Sequence, residues 1–199
     1  MYSKYVKRLL DVIISLVVLP FILIISLIIG ILIYLEDKGS IFYVSKRLGK
    51  NGKSFNIYKL RSMKMHAPDI RNEDGSTYNS ENDPRLTKIG KFIRKTSLDE
   101  LPQFLNVLKG DMSLIGPRPD LLEDLETYTE YQRKKILVRP GITGYSQAYF
   151  RNSIGNEEKY NNDAYYVDNL SFFFDIKIFF KTIFSIIKKE NVFVGDEKL

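Results

Sequence analysis

The chain has 199 residues, enough for one domain with a hydrophobic core, and Lys and Arg outnumber Asp and Glu to leave a net charge of +6. It contains no cysteine and one histidine, His66. That rules out a disulfide framework and thiolate chemistry, and argues against a multi-His zinc centre or a Ser-His triad. A basic balance suits an anionic partner such as a phosphorylated substrate, an anionic lipid or a nucleic acid, and does not choose among them.

The first element is a greasy run from Val12 to Leu35 without a charged residue. As a helix it would be roughly 36 Å long, enough to cross a hydrocarbon core of about 30 Å. No small-residue cleavage site follows Leu35, which argues against a signal peptide. Pro20 lies inside the run and predicts a kink. Lys4, Lys7 and Arg8 precede the run, and Lys38, Lys46, Arg47, Lys50 and Lys53 follow it. Basic residues mark the cytoplasmic flank of a membrane segment. Two basic flanks fit either a kinked transmembrane helix or a re-entrant helix that turns back at Pro20.

Gly39 to Met63 then reads as a β-hairpin. Ile41–Val44 and Phe55–Tyr58 are the strands, and Asn51-Gly52 is the turn signal. Lys59 and Arg61 stand at its end. Residues His66 to Asp83 are polar and predict a mobile surface loop. Apolar spacing predicts helices over Leu86–Arg94, Leu98–Leu108 and Leu121–Val138, the last with a charged face. Gly110–Pro119 and Arg139–Gly144 read as loops punctuated by Gly and Pro. Phe172–Lys189 mixes aromatics and isoleucines with lysines, which suits an interfacial amphipathic helix or a core helix.

Chemistry concentrates around Ser97-Leu98-Asp99-Glu100. This run matches a capping box, with Ser97 as N-cap and Glu100 three residues on. Acids in a first helical turn need no further role. Arg94 and Lys95 lie just before the pair, however, and Gly116-Pro117-Arg118-Pro119 and Arg139-Pro140-Gly141 follow it. Turns stiffened by Gly and Pro that present arginines can clamp phosphates. Adjacent carboxylates can hold Mg²⁺ or supply a nucleophile. Neither a Walker A pattern nor a G-x-G-x-x-G fingerprint is present.

The run DPRLTKIGKFIRKTSLDELPQFLNVLKGDMSLIGPRPDL, then RPGITG, then YYVDNLSFFFDIKIFFKTI, closely resembles the bacterial sugar transferases, the small monotopic polyprenol-phosphate phosphoglycosyl transferases. The resemblance covers nearly the whole chain. It implies an α+β fold, mainly α-helical: a membrane-embedded re-entrant helix over residues 1–38 broken at Pro20, then a catalytic domain over 39–199 with a small hairpin and interfacial amphipathic helices. It implies transfer of a sugar 1-phosphate from a UDP-sugar to undecaprenyl phosphate, with Mg²⁺, at the cytoplasmic face of the bacterial inner membrane. Asp99 is then the nucleophile and Glu100 the partner that holds Mg²⁺. Lys59, Arg94, Arg118 and Arg139 fall on positions associated with substrate phosphates or nucleotide. Inner-membrane phospholipid is the implied surroundings, and a homodimer is compatible with the resemblance. Two positions depart from the family pattern: Leu19 stands where serine often precedes the helix-breaking proline, and Tyr145-Ser146 stand where Trp-Ala is common. The competing reading is a basic, membrane-bound, non-catalytic scaffold of a glycan-assembly complex. No nucleic-acid partner is expected, because no recognition motif is present.

Overall fold

The N-terminal apolar run forms one long helix, α1 (Lys7–Asp37), preceded by a π-type turn at Tyr2–Val6. The architecture comes from a computed structural model that describes residues 2–71, 78 and 80–188. Among these, the segment Tyr2–Asp37 is the one helix long and apolar enough to cross a membrane. Most of its large side chains stand exposed. Its two ends dock by polar contacts. Arg8 donates to the carbonyls of Val107 and Leu108 at 2.6 and 3.1 Å, and the Asp11 carboxylate accepts from Ser113 Oγ and Leu114 N at 2.8 and 3.0 Å. At the far end, Asp37 takes both Nη atoms of Arg61 at 2.5 and 2.6 Å, and Glu36 accepts the backbone N–H groups of Lys88 and Ile89.

The predicted hairpin is present and longer than its apolar runs: β1 (Phe42–Leu48) pairs antiparallel with β2 (Ser54–Leu60). Asn51 and Gly52 both take positive φ, 57° and 74°, as the tight turn requires. Next come α2 (Lys88–Lys95) and α3 (Gln103–Lys109). Thr87 caps α2 by accepting the Gly90 N–H at 2.8 Å. Ile29 and Ile33 of α1, Leu60 of β2 and Ile93 of α2 form one buried cluster, which fixes α2 against the hairpin. Ile57, Val107 and Met112 form a second beneath α3.

Gly90 makes that α2 packing possible. A Cβ there would lie 1.7 Å from the Ser62 carbonyl oxygen, a backbone atom that cannot step aside. Gly90→Ala is expected to lower stability by about 2 kcal/mol or more, read as a fall in Tm of the detergent-solubilised protein.

Two short strands were not legible as such. β3 (Ser113–Ile115) and β4 (Gly141–Thr143) pair in parallel, inside the two stretches that read as loops. Each has three residues and is flanked by Gly or Pro, so neither shows a period. α4 (Tyr145–Tyr149), α5 (Asn156–Asp168) and α6 (Phe172–Lys188) complete the fold. Tyr166 of α5 and Ile178 of α6 pack with Ile115 and Ala148. The outer face of α6 exposes Phe173, Phe180 and Ile187.

The structure corrects two helical expectations. Leu121–Val138 is not one helix but two short 3₁₀ pieces, Glu123–Glu126 and Gln132–Leu137. Polar side chains there bond the nearby backbone instead: Asp124 accepts from Leu121 N, and Thr129 and Gln132 bond each other's N–H reciprocally. Leu98–Leu108 is likewise split, into a 3₁₀ turn at Leu98–Glu100 and α3, with Pro102 opening the second piece. The expected loop over His66–Asp83 lies partly outside the described residues. At its described end Asp83 and Arg85 form a buried ion pair at 2.7 Å.

Candidate active site

Asp99 and Glu100 sit on the 3₁₀ turn, between the last turn of α2 and the start of α3. The turn is entered through Ser97, which takes left-handed φ and ψ of 58° and 20° and makes no side-chain cap bond. The capping-box expectation is therefore corrected. N-cap residues typically take the extended conformation, and Ser97 does not. Ser97 Oγ instead accepts from Arg151 Nη2 at 3.1 Å, and Glu100 turns to Lys59 rather than back to Ser97.

Lys59 Nζ lies 2.7 Å from Glu100 Oε1. β2 delivers it, in register with Tyr43 across the hairpin. Arg94, in the last turn of α2, is positioned by Ser62, whose Oγ accepts from Arg94 Nε at 3.0 Å. Behind it, Arg85 donates to both oxygens of buried Asp83 and to the carbonyls of Pro68 and Tyr78.

The two carboxylates differ electrically. Burial pushes Asp99 up to about 6, Glu100 beside it pushes the same way, and Lys59 and Arg94 oppose the rise. Burial would raise Glu100 too, but Lys59 and Arg118, with hydrogen bonds from Lys59 and Gln103, hold it below its usual range. One site thus holds an ion-paired carboxylate next to a desolvated one. A desolvated carboxylate is the stronger nucleophile when ionised, because little water must be stripped from it.

Arg118 is exposed in the turn after β3, and its positive charge reaches Glu100. Its own N–H donates to Asp163 Oδ2 at 3.2 Å. Arg139 points elsewhere: its Nε donates to the Gly110 carbonyl at 2.8 Å, bracing the end of α3. Lys59, Arg94 and Arg118 therefore share the field of the carboxylates, and Arg139 contacts a neighbouring loop.

Three features escaped sequence reading. Arg151 and Gln103 join the site from afar or from an apolar-looking helix. Lys135, expected on a solvated helix face, is buried between Asp120 and Asp163, with Asp163 at 2.8 Å. No signal in the sequence marks Arg151. It follows an aromatic run and becomes informative only through its φ of 50° and its bond to Ser97. Tyr145, one of the departures noted above, sits in an aromatic cluster with Tyr149, Phe150, Tyr165 and Phe174.

Mg²⁺ can be tested against these residues. No group of three or more His, Cys, Asp or Glu among the described residues could hold a metal by itself. Two adjacent carboxylates do fit Mg²⁺, which is often bound through one or two carboxylates while substrate phosphates and water supply the rest.

A long unburied apolar helix docked at both ends on a body suits membrane association, and a carboxylate pair among cations suits an anionic ligand. Comparison of sequences is more specific. Residues 2–189 match the bacterial sugar transferase family, and the chain belongs to it. It is 43% identical over 186 residues to the "uncharacterized sugar transferase EpsL" of Bacillus subtilis, covering 94% of this chain and 89% of that protein. It is 38% identical over 207 residues to the undecaprenyl-phosphate galactose phosphotransferase of Salmonella typhimurium, covering 96% of this chain but 42% of that protein. A 37% identity over 189 residues links it to the UDP-N-acetylgalactosamine-undecaprenyl-phosphate N-acetylgalactosaminephosphotransferase of Aeromonas hydrophila, covering 92% of this chain and 44% of that one. The chain thus spans less than half of its longer relatives and most of its shorter ones.

Proposed function

We propose that this protein transfers a sugar 1-phosphate from a UDP-sugar to a polyprenyl phosphate such as undecaprenyl phosphate, releasing UMP. The observation that carries the reading is the unequal carboxylate pair, with Asp99 desolvated and Glu100 ion-paired to Lys59, inside a chain of the sugar transferase family. The names of the Salmonella and Aeromonas relatives support the two substrate classes.

In this mechanism an Asp99 oxygen attacks the β-phosphorus of the UDP-sugar. An O–P bond forms to Asp99, the bond from the β-phosphorus to the bridging oxygen breaks, and UMP leaves with that oxygen. A phosphate oxygen of the lipid then attacks the same phosphorus and displaces the Asp99 carboxylate, giving the lipid diphosphosugar. No general base is needed, since both nucleophiles are already anionic. Glu100 and Asp99 would hold Mg²⁺, which when bound offsets charge on the diphosphate. Arg94, Arg118 and Lys59 orient the phosphates and lower their mutual repulsion. Trapping tests the covalent step. With UDP-sugar and Mg²⁺ but no lipid, intact mass should rise by one sugar phosphate, located on Asp99 by fragmentation. Turnover without any such adduct would exclude it.

The same reading extends to the membrane. Between Ser15 and Ile29 only Ile22 of α1 is buried, yet both ends of the helix bond one body. A straight 31-residue helix would be about 46 Å long. Docked ends with a free middle support a helix that dips into one leaflet and returns at Pro20. The exposed aromatics of α6, with Lys177, Lys181 and Lys188, support an interfacial position on phospholipid at the cytoplasmic side. Because the chain has no native cysteine, single cysteines at Ser3 and Ser40 report topology cleanly. Both should label from one side of the membrane, and labelling from opposite sides would exclude the re-entrant form.

A further inference from the structure

Beside the carboxylate turn lies an open groove of about 510 Å³ whose lining is almost wholly apolar. Phe42 and Tyr58 of the hairpin form one wall, and Pro102, Leu105, Leu108 and Lys109 form the other. Its volume falls within the range of small-molecule sites. Phe42 and Leu105 are exposed, so the groove presents unpartnered apolar surface on a body that is otherwise basic.

Three observations choose its occupant. One end of the groove meets the carboxylate turn, because Pro102, which lines it, is two residues past Glu100. The hairpin wall begins against α1. Ile41, next to Phe42, packs on α1 so closely that a Cβ on Gly30 would lie 2.9 Å from it. A cation sits at the rim: Lys109 Nζ donates to Tyr58 Oη at 2.6 Å and lies 4.6 Å from the centre of its ring. An apolar trough running from a bilayer-facing helix to a phosphate-handling site, with an ammonium at its edge, is complementary to an anionic amphiphile with a long hydrocarbon tail.

We propose that this groove holds the isoprenoid chain of the lipid phosphate acceptor, and that Leu105 and Leu108 of α3 set the acceptor's affinity. The inference rests on the phosphoglycosyl transfer reading for the identity of the amphiphile. A chain seated here lies along α3 with its phosphate end towards Asp99. The protein therefore binds the tail itself and does not rely on the bilayer alone to present the headgroup.

Photocrosslinking in nanodiscs tests the placement without requiring turnover. A diazirine-bearing isoprenyl phosphate should label the peptides that carry Phe42, Leu105 and Leu108, and excess unlabelled polyprenyl phosphate should suppress the labelling. Label confined to α1 and α6 would overturn the proposal. So would groove labelling that a diazirine-bearing phospholipid reproduces and polyprenyl phosphate fails to compete. Kinetics supply the second arm. Leu105→Asn should raise KM for the polyprenyl phosphate about ten-fold, the equivalent of one apolar side chain withdrawn from contact. KM for the UDP-sugar should not move, and Leu105→Met should restore the acceptor KM. An unchanged acceptor KM in Leu105→Asn would overturn the proposal. If the unaltered protein released no UMP from any UDP-sugar, the transferase reading would fail, and the crosslinking pattern would still decide what the groove holds.

Discussion

Asp99→Asn is expected to lower turnover by on the order of 10⁴-fold or more while the protein keeps its fold. The amide matches the carboxylate in size and leaves the Ser97 turn, the Arg151 contact and the Lys59–Glu100 pair in place. It carries no anionic oxygen to attack phosphorus. Thermal unfolding of the variant should thus resemble that of the parent, while UMP release disappears. Glu100→Gln separates the two roles. It removes the ion pair with Lys59 and, on the proposed mechanism, would weaken the hold on Mg²⁺, so it should raise the Mg²⁺ needed for half-maximal rate and leave Asp99 able to form the proposed adduct. If the site were only a helix turn, the two variants would alter stability and neither would alter catalysis selectively. Normal activity in Asp99→Asn would end the nucleophile assignment.

Lys135→Met should destabilise the protein by about 3–5 kcal/mol, because it leaves two carboxylates facing each other without their cation. Lys135 is 4% exposed and Asp163 1%, so water cannot take the lysine's place. Its ammonium bonds Asp120 and Asp163 and lies 4.8 Å from the centre of the Tyr160 ring. Asp120 also accepts from Tyr128 Oη at 2.6 Å, and Asp163 accepts the Arg118 N–H. At roughly 2–4 °C per kcal/mol for a chain of this size, Tm should fall by about 10 °C.

The deficit should depend on pH. Burial raises Asp163 to about 6 from its usual 3.8, Lys135 opposes the rise, and Asp120 adds to it. The folded protein therefore binds this proton more tightly than the unfolded chain. The penalty for ionised Asp163 is full above pH 6 and vanishes as pH falls through 6 to 4. Loss of Lys135 pushes Asp163 higher still, so the variant's Tm should approach the parent's between pH 7 and 5. A deficit that stays constant with pH would mean that packing against Tyr128 and Tyr160, not charge, dominates.

The long helix, the hairpin with its Asn51-Gly52 turn, and α2 were legible because each rests on local signals: an uncharged apolar run, a turn dipeptide, and an apolar period over Leu86–Arg94. Asp99 and Glu100 were legible as chemistry only through their neighbours and the family likeness. What the sequence hid is non-local. β3 and β4 are three residues each and exist by pairing with one another. Lys135 reads as a surface charge until Asp163, 28 positions later, is brought against it. Ser97 reads as an N-cap until its φ turns positive and its hydroxyl turns to Arg151. Arg151, 54 positions from Ser97, reaches the site only through α4 and the turn after it.

The identity of the released nucleotide tests the central claim most directly. The purified protein in nanodiscs with Mg²⁺ and undecaprenyl phosphate would be given a panel of UDP-sugars, and the nucleotide product separated and identified. Attack on the β-phosphorus predicts UMP, in step with the appearance of a lipid diphosphosugar. Release of UDP, with the sugar alone passing to the lipid, would place the bond cleavage at the sugar carbon and contradict phosphoglycosyl transfer at Asp99.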